Sequence, residues 1–298
     1  MNKTVITTDS GCNPRDISNM IPSVVIDSND NSYCDTKRVT SEDKRIITNM
    51  EALDRAKGGE KLRTASPVIN DFLEVMRKHL DDGFDIVHLA MSSGISYGSV
   101  NSSRVAADIL NDEYGSNRVT VIDTLTGGSG GTIINDYANS LVKKGLTSKE
   151  IVKELEEVKK RLLTSFYISK VEGFVKSGRA PAKTILSDKL LLRYRIDIND
   201  KGKLFPKLPP YHGKINSQFI KYLKNIINEK NMEEYDPNYF SLLITRLNEI
   251  DIEEAKNYLL SLNYFNKELL NELEFYSVIC AYGVEDQIGI GLIKKKHF

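Results

Sequence analysis

The sequence predicts an α/β protein in two parts, an N-terminal parallel-sheet α/β domain over residues 1–165 and a C-terminal α+β domain over 166–298. Three observations predict it. Short apolar runs at Thr4–Thr8, Ile86–Met91 and Val119–Asp123 alternate with segments of helical spacing, the pattern of strands joined by helices in a parallel sheet. Each run ends in a turn rich in hydroxyls or glycines, and ligands of such sheets bind at the carboxyl ends of the strands. Past about residue 165 the alternation lapses into hairpin-like and long helical segments.

Taken in order, Thr4–Thr8 runs into the polar turn Asp9-Ser10-Gly11-Cys12-Asn13-Pro14. Residues 28–43 are polar and read as loop, and 44–56 can be helical. Gly58-Gly59 breaks the chain before Arg63-Thr64-Ala65-Ser66-Pro67, a second hydroxyl-bearing turn. Val68, Ile69, Phe72, Val75, Met76 and Leu80 recur at three- and four-residue steps and predict an amphipathic helix closed by Gly83. The strand ending at Met91 opens into Ser92-Ser93-Gly94-Ile95-Ser96-Tyr97-Gly98-Ser99, followed by a helix through Val105 and Leu110. Backbone N–H groups and hydroxyls converge at such a strand-to-helix turn and favour an anionic head group. Val119–Asp123 ends in Thr124–Thr132, the most glycine-dense stretch, and a helix follows from Ile133. Thr147-Ser148-Lys149-Glu150 is a capping box.

In the second part, 190–199 reads as a strand, Asp200-Lys201-Gly202-Lys203 as a hairpin turn, and Phe219 to Ile227 as a long helix. Residues 239–244 and 276–281 read as strands, with helices over 253–262 and 268–273 between them.

Charge and cysteine content bound the function. Lys+Arg and Asp+Glu balance at 41 each, so no basic field draws in nucleic acid. Three widely spaced cysteines, Cys12, Cys34 and Cys280, build neither a disulfide framework nor a zinc pattern, which fits a reducing compartment. The N-terminal apolar run is too short for a signal peptide, and no window approaches a membrane span. A cytoplasmic location without membrane span is expected.

Several motifs invite catalysis. Gly94-Ile95-Ser96-Tyr97-Gly98 matches the G-x-S-x-G nucleophile elbow, with Asp123 and His212 as conceivable partners of Ser96 in a serine-dependent esterase or transferase. The same pattern recurs at Gly127-Gly128-Ser129-Gly130-Gly131, and none of the four histidines sits in a convincing base motif. Residues 127–131 lack the Gly-Lys-Ser/Thr ending of a P-loop, so close backbone approach is the simpler reading. His88, within an apolar run, reads as a core residue. No metal site and no cofactor are expected.

The turns taken together resemble the DegV family, bacterial fatty-acid-binding proteins of the FakB type that act with a fatty acid kinase. Thr8-Asp9-Ser10-Gly11-Cys12 resembles the family's D-S-x-C/D turn, and Thr64-Ala65-Ser66-Pro67 its T-S-Q-P turn. Ser92-Ser93-Gly94-Ile95-Ser96 resembles S-S-x-L-S, Val121-Ile122-Asp123-Thr124 with the glycines to 131 resembles V-I-D-S…G-x-G, and Lys176-Ser177-Gly178-Arg179 resembles G-G-R-I. The resemblance spans nearly the whole chain. It implies a non-enzymatic lipid-binding component that holds a long-chain fatty acid between two domains and presents it to a separate kinase for acyl phosphate formation. It assigns the carboxylate to Thr64, Ser93 and Ser96, and Asp9, Ser10, Ser92, Gly94, Gly128 and Gly130 to pocket or loop support. Where the family carries T-H-T-G-P-G, this chain has Ala281-Tyr282-Gly283-Val284-Glu285-Asp286, so Tyr282 takes the place of a carboxylate-binding histidine. A phenol donates a hydrogen bond but brings no positive charge. His212-Gly213 replaces an R-G dipeptide tied to the kinase and Arg193-Tyr194 a K-P, which with Arg179 mark the expected partner contacts. These departures leave room for a divergent member that binds another small ligand.

Overall fold

The computed structural model describes residues 3–34, 45–176 and 189–296. The chain opens with β1 (Thr4–Asp9), crosses a 3₁₀ turn and reaches β2 (Met20–Ile21). A small sheet follows from β3 (Val24–Ile26), β4 (Ser32–Cys34), β5 (Arg45–Ile46) and, beyond α1 (Asn49–Lys57), β6 (Arg63–Ala65), in the order β5-β4-β3-β6. Two of these strands correct the sequence reading. Residues 63–65, expected as turn, pair antiparallel with β3 through Val25↔Thr64. The polar stretch from 28 contains β4, because the Asp27 carboxylate accepts the amides of Asn29 and Asn31 and so closes the β3–β4 turn.

Then come α2 (Ile69–Asp81), β7 (Asp85–Ala90), α3 (Tyr97–Glu113), β8 (Val119–Asp123), α4 (Ser129–Lys143) and α5 (Ser148–Lys159). The expected parallel sheet has the order β2-β1-β7-β8. Side chains alternate across it. Ile6, Val87, Leu89 and Ile122 meet α4 and α5 through Ile133, Ile134, Ile151 and Leu155, while Ile86 and Val119 meet α2 and α3 through Phe72, Met76, Ala106 and Leu110. The α5 start is the capping box read from sequence, with Thr147 and Glu150 bonded reciprocally.

The remainder is β9 (Leu162–Ile168), α6 (Glu172–Lys176), β10 (Leu192–Ile198), β11 (Leu204–His212), α7 (Ile215–Ile226), β12 (Tyr235–Ile244), α8 (Ile252–Ser261), β13 (Glu272–Glu274), α9 (Ser277–Cys280) and β14 (Gln287–Lys294). Its sheet has the order β11-β10-β9-β14-β12-β13, antiparallel except for β12 with β13. It begins at Leu162, so a two-domain division near 165 falls inside β9. One face of this sheet packs on α7 and α8. The other meets the small sheet, α1 and α9 in a second apolar cluster. Between the sheets lies α4, against β12 and β14.

Residues 204–212, beyond the expected hairpin turn, form a strand that carries Pro206, Pro209 and Pro210, because β11 is an edge strand, where proline is admitted. Two elements differ from expectation. Tyr276–Ala281, expected as strand, turns once as α9, with the Ala281 amide donating to Ser277 O. Residues 268–273, expected as helix, divide into a 3₁₀ turn at Lys267–Leu270 and β13.

Candidate functional site

The parallel register stacks the carboxyl ends of β1, β7 and β8, with Thr8 beside Leu89 and Ala90 beside Asp123, so the turns at 9–12, 91–96 and 124–131 share one edge. Buried Asp9 ties the first turn to the second: Oδ2 accepts the Met91 amide at 2.8 Å and the Ser99 hydroxyl. Burial pushes its carboxyl above the usual range, opposed by those hydrogen bonds. Ser10 accepts the Ser23 amide at 2.9 Å, and Asp123 Oδ1 accepts the amides of Ser93 and Leu125, both at 3.1 Å. These residues shape loops.

Ser92 also acts on backbone. Its hydroxyl donates to Gly202 O at 2.7 Å and accepts the Gly94 amide at 3.1 Å, clamping the tip of the β10–β11 hairpin onto the turn. Gly94 makes that approach possible, since a Cβ there would lie 2.6 Å from Gly202 O. The glycines at 127–131 serve the same purpose, as the close-approach reading expects. A Cβ on Gly130 would collide with the hydroxyls of Thr126 and Thr164, and one on Gly131 would lie 2.4 Å from Cys12 O. Gly128, at φ 53°, donates to Gly11 O at 2.8 Å and sits against Phe166 and Phe275.

The hydroxyls expected at a head group lie on three separate elements and meet in pairs. Thr64 Oγ1 of β6 and Tyr282 Oη, 218 residues apart in sequence, are 3.4 Å from each other. Ser66 and Ser96 place their hydroxyls 2.9 Å apart. Ser96 precedes α3, yet its side chain caps no amide of that helix and turns toward Ser66 instead. Ser93 is half-buried on the same turn. Ser66 is the residue that sequence reasoning missed; its signal was its place in the same hydroxyl-bearing turn as Thr64.

β6, which carries Thr64, pairs with β3, whose Val25 belongs to an apolar cluster with Phe166 and Ile168 of β9, Phe275, and Ala52 and Leu53 of α1. Half-buried Tyr194, Ile196 and Ile198 of β10 pack against it. Strand alternation sends these apolar side chains toward the small sheet. Arg195 and Asp197 go to the opposite face, where Asp197 also accepts the Ser165 hydroxyl at 2.7 Å.

The carboxylates beside Tyr282 are committed elsewhere. Asp286 accepts the amides of Asn248, Glu249 and Ile250, and Glu285 pairs with Lys57 at 2.6 Å. Among the expected partner contacts, Arg193 is only 4% exposed and donates to Ser169 O at 2.7 Å, and His212 is exposed at the end of β11. Arg179 lies outside the described residues.

The Ser96–Asp123–His212 arrangement of a serine hydrolase is not assembled. Ser96 bonds Ser66, Asp123 holds two amides, and β11 separates His212 from the hairpin tip by about 25 Å of extended strand. Ser129, in the second G-x-S-x-G, is fully buried at the start of α4. His88 is a core residue: its Nδ1 is 3.0 Å from Thr7 Oγ1, its ring edge meets Phe72, and burial pushes its pKa down to about 3. Among the described residues no three His, Cys, Asp or Glu side chains gather to hold a metal ion, and no helix is long and apolar enough to cross a membrane.

The family described as "Uncharacterised protein, DegV family" matches residues 3–295. The DegV domain-containing protein YteA of Lactococcus lactis is 28% identical over 200 residues, 67% of this chain and 66% of that protein. A DegV domain-containing protein of Staphylococcus aureus is 27% identical over 187 residues, 63% of this chain and 64% of that protein. The match therefore spans just under two-thirds of the length of these curated relatives. Solved structures share the fold over nearly the full chain. A DegV family protein from Thermus thermophilus, described by its fatty acid binding, has a TM-score of 0.78 at 21% identity, covering 99% of this chain and 100% of its own. One from Eubacterium eligens, loaded with heptadecanoic acid, has 0.77 at 15%, covering 98% and 100%. The Streptococcus pneumoniae fatty acid kinase B3 protein, loaded with linoleic acid, has 0.74 at 19%, covering 97% and 99%.

Proposed function

We propose that this chain, which belongs to the DegV family, holds a long-chain fatty acid between its small sheet and its six-stranded sheet and presents it to a separate fatty acid kinase. The observation that carries the reading is the meeting of the Thr64 hydroxyl, on β6, with that of Tyr282, beyond α9, beside a small sheet whose Val25 shares an apolar cluster with Phe166 and Ile168 of β9. A carboxylate taken out of water needs donors, and Thr64, Tyr282, Ser93 and Ser96 supply hydroxyl donors for it. The acyl tail follows the apolar cluster around Phe166, Ile168, Tyr194, Ile196 and Phe275, gaining about 0.8 kcal/mol for each buried CH₂. The fatty acids loaded in the E. eligens and S. pneumoniae proteins support this class of ligand.

The chain's part is binding and presentation. The dispersal of Ser96, Asp123 and His212 argues against an esterase, and the sequence holds no Gly-Lys-Ser/Thr phosphate loop of its own. Phosphoryl transfer to the carboxylate then falls to the kinase partner, with exposed His212 and, by sequence alone, Arg179 as the residues to probe.

Titration of delipidated protein with hexadecanoic acid tests the reading. Saturable binding that weakens in Thr64→Val and in Tyr282→Phe is the expected result. Binding unchanged in both variants removes these residues from the site.

A further inference from the structure

Tyr282 stands on a segment whose position is set from outside the pocket. The segment leaves Tyr282 through Gly283, at φ 67°, and ends at Asp286, at φ 51°. A Cβ on Gly283 would lie 3.3 Å from the Ala56 side chain, so the backbone rests on the last turn of α1. A side-chain-bearing residue in the left-handed region is strained unless its surroundings hold it there. Asp286 is held by its own buried carboxylate, whose Oδ1 accepts the amides of Asn248, Glu249 and Ile250 at 2.8, 2.9 and 3.2 Å. Its amide donates to Arg246 O at 2.9 Å.

Glu285 adds a second anchor. Its carboxylate lies 2.6 Å from Lys57 Nζ and 3.7 Å from Arg246 Nη1. Arg246 also grips Asp54 through two bonds of 2.6 and 3.0 Å. Asp54 and Lys57 both belong to α1, and Arg246 and Glu285 both flank the Tyr282 segment. The four charges alternate in sign across this seam. Burial pushes the Glu285 carboxyl up, and its bonds with Lys57 and Asn248 outweigh that and hold it below the usual range.

We propose that the Asp54–Arg246–Glu285–Lys57 network is a positioning device that fixes Tyr282 opposite Thr64 and thereby sets selectivity for an acidic head group. Thr64 follows α1 by a short connection, and the network bolts the Tyr282 segment to that same helix. Two donors distant in sequence are thus carried in one frame. The proposal rests on the fatty-acid reading above for its ligand. The network residues act through Tyr282.

The test measures hexadecanoic acid and hexadecanol binding to delipidated full-length protein, wild type, Glu285→Gln and Lys57→Gln. Lys57→Gln breaks the same ion pair from its more exposed partner, so a folding defect in Glu285→Gln does not decide the matter. Positioning predicts a loss of about 2- to 12-fold for the acid, with the alcohol nearly unaffected. It also predicts no further loss when Glu285→Gln is added to Tyr282→Phe. Equal losses for acid and alcohol, or losses that multiply in the double variant, overturn the positioning role and leave the fatty-acid reading standing. Wild-type protein that binds neither probe overturns both.

Discussion

Thr64 and Tyr282 place their hydroxyls 3.4 Å apart, at the long end of the hydrogen-bond range, and in the proposed reading one carboxylate accepts from both. Removing one donor from a buried carboxylate should weaken binding by about 1–3 kcal/mol, so Thr64→Val and Tyr282→Phe are each expected to lose roughly 5- to 150-fold in affinity by calorimetric titration. His88 makes a separate prediction about stability. Its folded pKa, about 3, lies below the unfolded value near 6.5, so the unfolded chain takes up a proton that the folded chain refuses. This contribution is present above about pH 6.5 and lost as the pH falls toward 3. Between pH 6 and 5, wild-type protein should lose about 1.2 kcal/mol more stability than His88→Leu in denaturant titrations. Equal slopes would show that the imidazole does not titrate as a buried neutral group. At this scale the turns singled out Thr64, Ser96 and Tyr282, and the structure pairs Thr64 with Tyr282 and Ser96 with Ser66. The backbone partners of Ser92 and Asp286 were not legible, because they lie more than thirty residues away.

At the scale of elements, the turns behave as tools for holding loops together. The β10–β11 hairpin tip reaches the β7 turn through one hydroxyl, Ser92, donating to Gly202 O. Ser92→Ala is expected to raise amide hydrogen exchange at 199–203 while leaving the interior of β7 protected; unchanged exchange there would mean the tip is held by shape alone. The α5 capping box is simpler, and Thr147→Ala should cost about 1 kcal/mol in unfolding experiments. Periodicity located the amphipathic helices and the three long parallel strands well, since each buries one face or both against a neighbour. It left β11 unassigned, a strand whose three prolines the edge position admits. It also failed at 276–281, where a short apolar run looks alike as strand or as buried helical turn.

At the scale of the whole molecule, α4 joins two sheets of different kinds, and the edge where the parallel strands end lies against the tip of a hairpin from the six-stranded sheet. The proposed ligand lies between the small sheet and the six-stranded sheet, its head at β6 and Tyr282 and its tail along β9 and β10. A ligand that binds only the folded protein raises its unfolding temperature in proportion to the logarithm of its concentration. The central claim, that this fold holds a fatty acid through hydroxyl donors, is tested most directly by native mass spectrometry of the purified protein followed by extraction and identification of what it carried. The account predicts a single straight-chain carboxylic acid bound per chain, lost when Thr64→Val and Tyr282→Phe are combined. Protein that carries no lipid and gains no mass when offered hexadecanoic acid would contradict it.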